Sequence, residues 1–100
     1  YPALAEKCRA EAEAMVVFDV NENGGVENVA IDKYNEMGTF SGKYYEALSE
    51  QDKAVAHNDV RILFEKEALR TAQALGRWVP GTRRGKNIKV QFYLPLTFRL

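Results

Sequence analysis

One hundred residues make one domain, 1–100, and 46% hydrophobic residues are enough for a packed core. Lys and Arg number 14 and Asp and Glu 14, a balance without the strongly basic character usual in nucleic-acid binders, so no nucleic-acid partner is expected. No apolar run approaches the ~20 residues that cross a bilayer, and the sole cysteine, Cys8, excludes an internal disulfide framework.

The chain opens abruptly at Tyr1-Pro2, which reads as a piece of a longer protein. Pro2 suits the first turn of a helix, and residues 2–12 are rich in the helix formers Ala, Glu, Lys and Arg. Leu4, Ala5 and Cys8 share a face at helical spacing, with Tyr1 and Pro2 as the anchor of that helix. A strand is expected over Met15–Val20, where Val16, Phe18 and Val20 point one way. Asn21-Glu22-Asn23-Gly24-Gly25 forms a turn, and a second strand follows over Val26–Ile31 with Val29 and Ile31 inward.

Residues 34–58 read as an irregular segment. Its aromatics Phe40, Tyr44 and Tyr45 suggest first a small satellite core and second an exposed aromatic binding site. Ser49-Glu50-Gln51-Asp52 suits the N-cap of a short helix. A longer helix is expected from Asp59, its cap, to Leu75, with an apolar stripe of Leu63, Phe64, Ala68, Ala72 and Leu75 and a stop at Gly76. Trp78 then seals the helix end, and Pro80-Gly81 turns the chain.

The terminal stretch Lys86–Leu100 alternates strictly. Ile88, Val90, Phe92, Leu94, Leu96, Phe98 and Leu100 face one way; Lys89, Gln91, Tyr93, Pro95, Thr97 and Arg99 face the other. Proline gives no N–H to a ladder, so Pro95 marks an edge strand. The wet outer sheet face would also carry Glu13, Met15, Val17, Asp19 and Glu27. The fold class is therefore α+β, a two-layer sandwich with a three-stranded antiparallel sheet and two main helices on one face.

An edge strand offers unpaired backbone groups to another chain, so a binding module is expected, with Lys89, Gln91, Tyr93, Pro95 and Arg99 as partner contacts. Arg77, Arg83, Arg84 and Lys86 crowd the same quarter of the chain, either as a solvated rim or as a positive patch for an acidic partner segment. Cys8 and His57 could in principle pair as nucleophile and base, but Cys8 lies on an apolar helix face and His57 in a polar stretch. No paired acids, glycine-rich phosphate loop or metal-spaced cluster is present, so neither enzymatic activity nor a cofactor or metal is expected.

Several pieces, in order, resemble the C-terminal domain family of TonB, the periplasmic energy transducer of Gram-negative bacteria. They are Tyr1-Pro2 with Ala5, Val16-Val17-Phe18-Asp19-Val20 leading to Gly24 or Gly25 and Val26, and Asn28-Val29-Ala30-Ile31. Glu67-Ala68-Leu69, Trp78-Val79-Pro80-Gly81 and Val90-Gln91-Phe92-Tyr93-Leu94-Pro95-Leu96-Thr97-Phe98 complete the set. The resemblance covers about residues 1–32 and 62–100. It departs at Ala12, where the family usually has glycine, and at residues 33–61, an atypical insertion. It implies a periplasmic domain, tethered to the inner membrane through a preceding segment, that binds the N-terminal box of outer-membrane transporters by strand addition to its last strand. Inner-membrane ExbB and ExbD would power it through that preceding segment, and a homodimer through the same edge is expected. The alternative is a TonB-like peptide-binding domain of a membrane sensor or peptidase regulator.

Overall fold

The computed structural model describes all residues from Tyr1 to Leu100. In chain order the elements are α1 (Ala3–Lys7), β1 (Glu11–Val20), β2 (Val26–Met37), α2 (Lys43–Glu46), α3 (Glu50–Ala74), β3 (Gly81–Arg83), β4 (Lys86–Ile88) and β5 (Val90–Phe98). The expected α+β class holds: β2, β1 and β5 form an antiparallel sheet in that order, and the long helix α3 packs on it. A separate two-stranded sheet, β3 with β4, was not anticipated.

The first helix is shorter than its composition suggests, because the chain closes it after Lys7. Arg9 adopts φ 51, and the amides of Arg9 and Ala10 bond back to the carbonyls of Glu6 and Ala5. These two bonds are a Schellman closure, with arginine where glycine is usual. The chain then enters β1 four residues earlier than expected. Ala12 and Ala14 point inward and Glu13 outward, so alternation overrides helix propensity.

Residues 33–61 are not a separate lobe. They continue β2 to Met37, cross over through α2, and supply the first turns of α3. Ser49 does cap a helix, accepting from the amide of Asp52, but that helix runs unbroken through Asp59 to Ala74. Asp59 is thus a mid-helix residue. The inward stripe is Ala56, Val60, Phe64, Ala68 and Ala72; Leu63 is half-buried and Leu75 exposed. Gly76, at φ 78, ends the helix as expected.

The two layers interlock by size. At one end, Phe64 and Val60 of α3 lie against Ala10 and Ala12 of the β1 end, with Phe98 stacked on Phe64 at 4.4 Å. At the other end, Ala68 and Ala72 admit Val16, Phe18 and Val20. Large side chains on one layer meet small ones on the other, which is how a core reaches crystal-like density. The result is long and thin, 60 × 18 × 17 Å, with a radius of gyration of 17.2 Å where a compact 100-residue domain has about 13 Å.

Turn and tail meet at one end. Asn21 Oδ1 accepts from the amides of Asn23 and Gly25, and the Trp78 amide donates to the Gly24 carbonyl at 2.9 Å. The Trp78 ring lies against Phe18 and Phe92, so it closes the sheet end as expected.

Candidate peptide-binding edge

The sheet has two open margins, β2 and β5. Along β2 the register slips twice. Asp32 is an extra residue between the pairs Met15↔Lys33 and Val16↔Ile31, and Phe18 faces both Asn28, at φ 55, and Val29. Bulges bend and twist an edge away from a straight partner. Along β5 the ladder to β1 is unbroken from Val20↔Val90 to Ala12↔Phe98. The straighter margin is therefore β5.

Pro95 sits inside this ladder, opposite Met15. A proline in an unbroken ladder must turn its nitrogen to the unpaired side. Strand alternation then turns the backbone N–H and C=O groups of Gln91, Tyr93 and Thr97 to that same open side. Leu100 agrees in parity: its N–H donates toward β1, to the Glu11 carboxylate at 2.9 Å. The open margin thus presents amide donors at Gln91 and Tyr93, a gap at Pro95, and a further donor at Thr97.

Side chains along the edge divide as the alternation requires. Phe92, Leu94, Leu96 and Phe98 pack on the core, while Gln91, Tyr93, Pro95 and Thr97 are exposed on the outer face. Tyr93 pairs with Val17 of β1 and is 56% exposed. A groove of about 180 Å³ crosses the outer face beside Pro95, lined by Glu13, Met15, Lys33, Asn35 and Thr97.

Of the five expected contacts, Gln91, Tyr93 and Pro95 lie together on the edge. Lys89 precedes β5 and reaches back across the sheet, 2.9 Å from Glu27 and 3.8 Å from Asp19. The hydrogen bond from Lys89 holds the Glu27 carboxyl below its ordinary range, and Glu27 in return raises the Lys89 ammonium. Lys89 is thereby committed to bracing the sheet. Arg99 lies past the end of β5, exposed, at the far end from the basic hairpin.

Cys8 and His57 are placed apart in role. Cys8 is fully buried, and burial pushes its thiol up, the reverse of an activated thiolate. His57 is held in a chain that sequence reasoning missed: Nδ1 lies 2.7 Å from a Glu36 carboxylate oxygen and Nε2 lies 2.9 Å from the Tyr45 hydroxyl. The carboxylate only accepts, so Nδ1 carries a proton and donates to Glu36, while Nε2 shares a hydrogen bond with the Tyr45 hydroxyl. Phe40 is buried and stacks on the imidazole at 3.9 Å. The chain ties β2, the crossover and α3 together, and Phe40 with Tyr45 joins the main core rather than the separate satellite core expected. Tyr44 is the exposed member of that aromatic group.

No three His, Cys, Asp or Glu side chains converge as a metal cage would need, and no helix is long and apolar enough to cross a membrane. A scan against protein-family models, a search of curated proteins and a search of solved structures each found no match for this chain.

Proposed function

We propose that this domain is the peptide-binding module of a TonB-type energy transducer, taking the N-terminal box of an outer-membrane transporter as an added strand on β5. The observation that carries the reading is the straight, unpaired β5 margin at the end of the chain, beside a β2 margin broken by bulges. Main-chain pairing supplies affinity that tolerates sequence change, and side pockets supply selection. Here the groove beside Pro95 and the ring of Tyr93 flank the edge and would select. The gap at Pro95 sets a limit: an added strand pairs along residues 90–94 and loses its partner donor at 95.

Periplasmic placement, an inner-membrane tether and coupling to ExbB and ExbD follow from the same resemblance. The test is an NMR titration with peptides from the N-termini of outer-membrane transporters. Saturable amide shifts concentrated on residues 90–94 are expected. Shifts confined to residues 38–49, or none with any such peptide, would overturn the reading and favour a sensor or peptidase regulator binding another peptide.

A further inference from the structure

The charges of this chain are segregated. All Asp and Glu lie at or before Glu67, while residues 68–100 carry Arg70, Arg77, Arg83, Arg84, Lys86, Lys89 and Arg99 with no acid. Three of these are already used: Arg70 pairs with Glu67, Lys89 with Glu27, and Arg77 donates to the Asn23 carbonyl. Arg83, Arg84 and Lys86 form no ion pair. They sit together on the β3–β4 hairpin, all exposed.

The hairpin is a rigid mount. Arg84 at φ 54 and Gly85 at φ 76 make a two-residue turn of the primed type, whose twist matches the strands it joins. Its base is pinned by the Asn87 side chain, which donates to the Glu22 carbonyl at 3.1 Å. Just before it stands Val79, 86% exposed, the most exposed large apolar side chain of the molecule. Neither of the molecule's two concavities touches this end.

An exposed, pinned hairpin with three unmatched cations and an outward apolar side chain suits a surface that is negative outside and oily beneath. We propose that the β3–β4 hairpin, with Val79 at its base, docks on an anionic lipid surface through Arg83, Arg84 and Lys86. The proposal is independent of strand pairing at β5. Asp19, Glu22 and Glu27 stand at this same end, but Arg77, Arg83, Arg84, Lys86 and Lys89 outnumber them, so its net charge is positive and the same surface attracts it.

The experiment is co-sedimentation of the full chain with phosphatidylcholine vesicles, with and without phosphatidylglycerol. Binding is expected only with phosphatidylglycerol and should fall with salt. Each cation near the surface contributes about fivefold in partitioning, so Arg83→Gln with Arg84→Asn together should lower it about 25-fold. Asn-Gly is a favoured pair for this turn, so the hairpin survives that change. Lys66→Gln, an exposed cation on α3, should change it less than about twofold, and Val79→Ser should lower it about threefold or more. Equal losses for Lys66→Gln and the hairpin variant, no effect of Val79→Ser, or binding to polyglutamate without binding to vesicles would each overturn the proposal, the last in favour of an acidic protein partner.

Discussion

The carbonyl oxygen of Trp78 fills the space that a Cβ on Gly24 would occupy, far inside contact distance. Gly24 also has φ 82, and its own carbonyl accepts the Trp78 amide. Gly24→Ala would strain the backbone by about 1–2 kcal/mol and push apart a hydrogen-bonded contact worth about 1 kcal/mol. We predict a loss of about 2–3 kcal/mol in urea unfolding. A loss below about 0.5 kcal/mol, the usual surface range, would show that the turn does not depend on this approach.

Size complementarity between the layers predicts a compensating pair. Phe64→Ala should cost about 3–5 kcal/mol, since the ring is fully buried against Ala12 and Phe98. Adding Ala12→Leu should recover about 1 kcal/mol or more of it, whereas Ala12→Leu alone should destabilise by about 1–3 kcal/mol. Additive losses in the double variant would count against the interlock.

Tyr34 has a buried hydroxyl with no partner, and burial, then Glu36 and Glu65, push its pKa up to about 12. The unfolded tyrosine titrates near its ordinary value of 10.0, so between about pH 10 and 12 the unfolded chain binds fewer protons and stability falls as pH rises. Tyr34→Phe removes both the unpaired hydroxyl and this titration. It should be neutral or slightly stabilising at pH 7, and its urea midpoint should fall less between pH 9 and 11 than that of the parent. Parallel pH profiles would refute the assignment.

Pro95 is the one break in the β5 margin. Pro95→Val restores an N–H on the open side and a β-favouring side chain. Sedimentation at rising concentration should show stronger self-association than the parent, with no loss of the β1–β5 ladder. An unchanged profile would mean that the margin is blocked by something other than proline.

Much of this frame was legible in the residues. The even-numbered apolar run of β5 and the meaning of Pro95 correctly located an edge, because two-residue alternation has a single physical cause. Gly76 was legible for the same reason, as a left-handed position after a helix. The start of β1 was hidden by composition: Glu11-Ala12-Glu13-Ala14 is made of helix formers, and only its alternation reveals the strand. The start of α3 was obscured because Ser49 and Asp59 are both credible caps, and nothing local decides between them. The β3–β4 hairpin was missed because its strands are three residues each and polar, leaving Arg84-Gly85 as the sole signal. The Glu36–His57–Tyr45 chain joins residues from three elements, and no spacing in a sequence announces such a meeting.

The inward stripe of α3 steps by four residues from Ala56 to Ala72. At 3.6 residues per turn each step overshoots a full turn by about 40°, so the stripe winds about 160° around the helix over its length. Strands twist in the same right-handed sense, so the helix follows the sheet as a thread follows its nut. Sliding α3 lengthwise therefore demands rotation, which the seated Phe64 and Val60 oppose. A tug on β5 along the long axis would meet a screw rather than a smooth plane.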